Sequence, residues 1–185
     1  MLAAAPAHLQ LMLLLCHDAA LRAKAALSLT HREYDPVDRV LSIRGKHGKV
    51  QTVPASGRLA AMLMFVPSGD GPLVSLLAGR ELGYAALRRQ FVELCKRVGA
   101  PPGLRLHDLR RTMAVATYDT THDLRVVQAL LGHDSLRVTL NYLERDVHKL
   151  NPETIAAALD RTASRAEAYA ASVLERFEPT GAAND

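Results

Sequence analysis

At 185 residues and 20.1 kDa the chain has room for one domain, or for one domain with a terminal appendage, which excludes a large multidomain machine. Its 49% hydrophobic and 23% charged residues supply a buried core and exclude intrinsic disorder, while 4% aromatics and no Trp leave Leu, Ala and Val to fill that core. The formal charge of +4 conceals an asymmetry, because residues 1–150 carry 20 basic against 13 acidic side chains and residues 151–185 carry 3 against 6. Cys16 and Cys95 are too few and too far apart for a disulfide framework or a zinc site, which points to a reducing, cytoplasmic compartment. The apolar run from Leu11 to Cys16 is too short to span a bilayer, and no basic region precedes it as in a signal peptide.

In chain order, Ala7 to Leu29 lacks internal Gly and Pro and predicts one long helix or two short ones, with Arg22 on its Ala-rich part. Asp35-Pro36 marks a turn. Arg39 to Ile43 and Val50 to Val53 predict two strands of a β-hairpin with a basic tip, closed by Pro54. Ser56 is placed to cap a helix through Phe65, and Pro67 to Pro72 reads as a loop. From Tyr84 to Val98 the apolar residues Leu87, Phe91, Leu94, Cys95 and Val98 recur at helical spacing until Gly99. Beyond Pro101-Pro102-Gly103 three helices are predicted: His107 to Tyr118, Asp123 to Gly132, and one from Ser135 with Val138 and Tyr142 on its surface. A last amphipathic, acidic helix is predicted after Asn151-Pro152. The fold class is mainly α with a small antiparallel β-sheet.

Chemistry concentrates in His107-Asp-Leu-Arg-Arg-Thr112, Leu131-Gly-His133 and Tyr142. His107 and Arg110 stand three apart and share a helix face. Gly132-His133 ends a helix, and Tyr142 follows nine residues later. With Arg22 and the hairpin tip, the set comprises two Arg, one Lys, two His and one Tyr, and it contains neither a general-base carboxylate nor a metal-ligand group. Two guanidiniums can hold a phosphodiester bidentately and neutralise charge growing on its oxygens, which is the task a metal ion performs elsewhere. A tyrosine hydroxyl, with an ordinary pKa of about 10, becomes a nucleophile once neighbouring His and Arg withdraw its proton or stabilise its anion. A lysine on a mobile tip can protonate a leaving oxygen. No cofactor is needed, because the bond energy stays in a phosphotyrosine link.

At these residues the chain resembles the catalytic domain of the tyrosine recombinases, also called the phage integrase family. The carriers are His107, Leu109, Arg110, Arg111 and Thr112, then Leu131-Gly132-His133, then Tyr142, together with the hairpin Ile43-Arg-Gly-Lys-His-Gly-Lys49 and Thr52-Val-Pro54. The resemblance covers about residues 9–150. It implies the tyrosine recombinase catalytic-domain fold over residues 1–150, a C-terminal acidic helix and tail over 151–185, and the absence of the family's N-terminal DNA-clamping domain. It implies Tyr142 as nucleophile, Arg22 and Arg110 as phosphate clamp, His107 and His133 as proton-handling and phosphate-contacting groups, and Lys46 as general acid. Arg44, Lys49 and Arg111 would contact DNA. The first-arginine motif departs from the family pattern: Arg22 is kept, but Ala20 stands where the family has Gly and Ala25 where it has Glu. The implied activity is metal-independent, site-specific DNA recombination on double-stranded DNA, with self-association as dimer to tetramer through the C-terminal helix and no membrane partner. Two alternatives stay open on these residues: a catalytically impaired DNA-binding remnant or regulator, and topoisomerase-like relaxation by a monomer.

Overall fold

The computed structural model describes residues 1–45 and 48–147. Lys46 and the helix expected after Asn151 lie outside the described residues. At the centre stands α1, Ala7–His17, in which Leu9 and every residue from Leu11 to Cys16 are buried. A helix that is apolar all round has no face to give to water and must be enclosed. The enclosure is built by α2 (Ala23–Ser28), α3 (Gly57–Met64), α4 (Leu73–Ala78), α5 (Tyr84–Arg97) and α6 (Leu106–Thr121), each of which packs against α1. On α5 the buried side is Leu87, Phe91, Leu94 and Cys95, as its spacing predicts, and Gly99 ends the segment at φ +64°. Two further helices follow, α7 (Leu124–Leu131), capped by the Asp123 carboxylate accepting from the Arg125 amide at 2.7 Å, and α8 (Leu136–Val147).

The segment from Ala7 to Leu29 is two helices, and Arg22 is not on a helix face. It is the extended residue that opens α2, at ψ 140°. The chain breaks after α1 because Ala20 adopts a left-handed conformation, φ +49°, which no regular helix continues. Asp18 anchors the break. Its buried carboxylate accepts from Ser56 Oγ, from Arg58 Nε at 2.6 Å and from His17 Nδ1 at 2.8 Å, which ties the break to the first turn of α3. Ser56 serves twice, since its Oγ also accepts from the Leu59 amide as the predicted cap.

The sheet has three antiparallel strands in the order β1 (Tyr34–Asp35), β2 (Val40–Arg44), β3 (Val50–Pro54). Leu41 and Val53 face each other across β2 and β3 and are both buried in the main core, so the register of the hairpin is set by that apolar pair. Neither β1 nor α4 is foreshadowed in the sequence, both being too short to show a period. A second, smaller apolar cluster joins Ala20 to Ala114 of α6, Val127 and Leu131 of α7, and Leu143 of α8. That cluster brings the α1–α2 break beside the last three helices. Among the described residues no helix is long and apolar enough to cross a membrane.

Burial alone would push the Asp18 carboxyl up, but the bonds from Arg58, Ser56 and His17 outweigh it and hold it at about 2, against an ordinary 3.8. A carboxyl depressed on folding contributes stability that is present above its unfolded pKa and lost as pH falls through its folded one, here about 2 kcal/mol in all. Urea unfolding between pH 4 and pH 2 should therefore show a steeper loss for the wild type than for Asp18→Asn. Equal slopes would mean that the Arg58 contact carries no linkage.

Candidate active site

The C-terminus of α7 organises the site. The last four carbonyls of a helix have no partner within it, and here each finds one elsewhere. The Gln128 carbonyl accepts from the His133 amide, and the Ala129 carbonyl from the Gly132 amide, both at 3.2 Å. Gln51 of β3 reaches across and donates its side-chain amide to the carbonyls of Ala129, at 2.9 Å, and Leu130, at 2.7 Å. The Leu131 carbonyl accepts from Arg110 Nη2 at 2.7 Å. Gly132 turns the chain at φ +58°, a left-handed conformation that favours glycine, and a Cβ there would displace the end of the Gln51 side chain.

Arg110 is 2% exposed. Its second donated bond goes from Nη1 to the Ala20 carbonyl, so one guanidinium gathers the α1–α2 break, α6 and the end of α7. Its Nε is buried with no partner, and both recorded bonds go to neutral carbonyls. Burial first, and then the charge of Arg22, lower its pKa to about 10, which leaves it protonated at neutral pH.

Tyr142 stands against this guanidinium with its ring between two imidazoles. His107 and His133 each meet it edge-on, with ring centroids 5.6 Å away and planes inclined by 82° and 72°. The Tyr142 hydroxyl is buried without a hydrogen-bond partner of good geometry. Burial raises its pKa above the ordinary value, while Arg110, Arg111 and Arg22 pull in the opposite direction. His133 is lowered to about 4 by burial, Arg110 and Arg22. His107 is lowered too, by burial and then by Arg110. At neutral pH both rings are uncharged, and the tyrosine is a protonated phenol in a positive field.

The profile of the phage integrase family matches residues 2–149. The chain belongs to the phage integrase family. Among curated relatives, the tyrosine recombinase XerC of Brucella suis is 32% identical over 146 residues, which are 75% of this chain and 46% of the relative. The XerC of Agrobacterium fabrum is 31% identical over 143 residues, 74% of this chain and 45% of that one. The chain thus spans about half the length of the curated relatives it matches. Among solved structures, XerA recombinase superposes with a TM-score of 0.70 at 18% identity, covering 87% of this chain and 61% of XerA. The XerH site-specific recombinase, in its post-cleavage complex with palindromic difH substrate, gives 0.64 at 24%, covering 78% and 44%. The fold is the tyrosine recombinase catalytic-domain fold that the motifs imply.

Of the residues that the family motifs single out, His107, Arg110, His133 and Tyr142 are brought together. Arg22 is exposed, and its charge acts on all four. Arg111 is half-buried and its charge reaches the Tyr142 hydroxyl, so it belongs to the rim of the pocket rather than to a remote surface. Tyr142 itself is turned inward and half-buried, unlike the exposed Val138 on the same helix. Arg44 is exposed at the end of β2. Lys49 is exposed and bonds Asp134 at 2.9 Å, beside the end of α7, rather than pointing freely into solvent. Lys46 lies outside the described residues. Three side chains that hold this site, Gln51, Asp18 and Thr139, carry no motif that singles them out in the sequence. Gln51 shares the inward face of β3 with Val53, a period-two signal that could have marked it.

Because the Arg22 charge helps to keep His133 neutral, Arg22→Gln should raise the His133 titration midpoint from about 4 toward its ordinary 6.5. Histidine proton shifts followed against pH would measure this. A midpoint unmoved by the substitution would place Arg22 outside the site.

Proposed function

We propose that this chain breaks and rejoins duplex DNA at specific sites through a covalent 3′-phosphotyrosine link. The observation that carries the reading is the Tyr142 hydroxyl, buried against the Arg110 guanidinium with both neutral imidazoles edge-on to its ring. Such a cluster of cationic and hydrogen-bonding groups suits a phosphodiester anion. Arg110 and Arg22 hold its non-bridging oxygens and neutralise the charge that grows there as the phosphorus becomes five-coordinate. The Tyr142 oxygen attacks phosphorus and forms the new P–O bond, its proton passing to an uncharged imidazole. The P–O5′ bond breaks, and the leaving oxygen takes a proton from Lys46 to become a 5′-hydroxyl. Attack by a 5′-hydroxyl of a partner strand reverses each step and restores the phenol, so the reaction needs no external energy source.

Duplex DNA as the partner is supported by related folds captured on it: XerH recombinase on its difH substrate and the Tn1549 transposon integrase on circular-intermediate DNA. Exchange between two duplexes calls for more than one protomer. Residues 151–185, acidic where the rest of the chain is basic, are the proposed contact. A binding-only descendant is not favoured. Such a chain is free to lose the tyrosine pocket, whereas here Ala20 adopts the left-handed conformation and still presents its carbonyl to Arg110, at a conformational cost of about 1–2 kcal/mol.

Incubation with a nicked duplex carrying the correct site should give a covalent protein–DNA adduct that withstands denaturation, and Tyr142→Phe should give none. An adduct of undiminished yield in that variant would remove Tyr142 as nucleophile. Affinity for duplex should fall steeply as salt rises, in a linear log–log plot, because each neutralised phosphate releases counterions. A flat plot would contradict DNA as the partner.

A further inference from the structure

Thr139 lies on α8 three residues before Tyr142, on the same helix face, and is wholly buried. Its hydroxyl oxygen is 3.1 Å from Nδ1 of His133. Threonines in helices commonly turn the hydroxyl back onto the carbonyl four residues earlier, and Thr112, Thr117, Thr120 and Thr121 of α6 all do so. Thr139 does not, and its recorded bond is to the imidazole. A buried hydroxyl hydrogen needs an acceptor. With the backbone carbonyl unused, that acceptor is Nδ1. A neutral imidazole carries one proton, so if Nδ1 accepts, Nε2 bears the hydrogen. The opposite tautomer would have Nδ1 donate to the threonine oxygen and would leave the threonine hydrogen buried without a partner.

We infer that Thr139 is a positioning residue that fixes His133 as the Nε2–H tautomer, so that this ring offers the bound phosphate a hydrogen-bond donor and not a base. The assignment of a phosphate to that donor rests on the function proposed above, while the tautomer itself does not. Two further features fit. His133 is held on its backbone side as well, its carbonyl accepting from the Gln128 side chain at 2.9 Å, so the ring pivots on a fixed main chain. Thr139 and Tyr142 sit one turn apart on α8, so the bond that orients the imidazole also sets the rotation of the helix that presents the nucleophile. The two histidines flanking Tyr142 then have different work: His133 donates, and His107 is left as the ring that can accept the phenolic proton.

The full chain labelled with nitrogen-15, with His133 identified by loss of its signals in His133→Gln, shows the tautomer directly in long-range proton–nitrogen correlation spectra at neutral pH. The expected result is a protonated Nε2 and a bare Nδ1 in the wild type and in Thr139→Ser, and a mixture of tautomers in Thr139→Val. In adduct formation on a nicked duplex at saturating concentration, Thr139→Val should slow the reaction roughly tenfold with unchanged half-saturation, and Thr139→Ser should stay within about twofold of the wild type. A protonated Nδ1 in the wild type overturns the proposal, and this reading does not depend on any variant folding. A Thr139→Val protein that keeps the wild-type tautomer and rate overturns it equally. Should the wild type form no adduct at all, the proposed reaction fails, and the spectra still decide the tautomer.

Discussion

Burying a guanidinium is the constraint around which this molecule is arranged. Removing such a charge from water costs several kcal/mol unless hydrogen bonds replace its hydration, and Arg110 obtains them from the carbonyls of Ala20 and Leu131. Those carbonyls are available only because two chain segments end there, one at the left-handed turn of Ala20 and the other at the last residue of α7. The same charge therefore dictates where α1 must stop, where α7 must stop, and that both ends meet over α6. Carbonyl dipoles solvate the cation without cancelling it. Burial first, and then the positive field that remains, keep His107 and His133 uncharged, and the same field draws on the Tyr142 phenol. Preorganised dipoles and charges of this kind need no rearrangement when negative charge develops beside them.

The second junction is the seam between the hairpin and the end of α7. An exposed ion pair such as Lys49 with Asp134, both side chains about three-quarters exposed, contributes little to stability, because water screens it. Gln51 does more, because it pairs the Leu130 carbonyl at the helix end and adds a second donor to the Ala129 carbonyl, which also accepts from the Gly132 amide. Its fit depends on Gly132 having no Cβ. The glycine before His133 thus serves both the turn that exposes the imidazole and the seating of the strand that follows the basic tip.

Much of the site was legible in the sequence because its residues lie at short, regular intervals. A separation of three puts His107 and Arg110 on one face, and the interval of nine from His133 spans one turn and the first half of α8 to reach Tyr142. The two hairpin strands were legible in the alternation from Arg39 to Ile43 and in the run from Val50 to Val53 that Pro54 closes, while their register, with Leu41 opposite Val53, came from the structure. The break at Arg22 was not legible, because it depends on a left-handed alanine and on Asp18 meeting Arg58 forty residues away, and contacts at that range leave no period. Thr139 escaped notice for another reason. A threonine in a helix ordinarily bonds its own backbone, and only the position of the His133 ring distinguishes this one from the four on α6.

The electrostatics of the pocket also bear on when the tyrosine becomes reactive in the proposed reaction. Burial and then the charges of Arg110 and Arg22 disfavour protonation of either imidazole, so neither is a good acceptor for the phenolic proton, and burial holds that proton on Tyr142. In the proposed reaction the single negative charge of a phosphodiester held by Arg110 and Arg22 offsets one of their two positive charges, which weakens the field at the histidines and raises their pKa values. The same anion opposes ionisation of the phenol, so free phenolate never accumulates. Proton transfer to His107 becomes favourable only as the Tyr142 oxygen begins to bond to phosphorus. In the proposed reaction the phosphate thereby creates the base that its own cleavage requires.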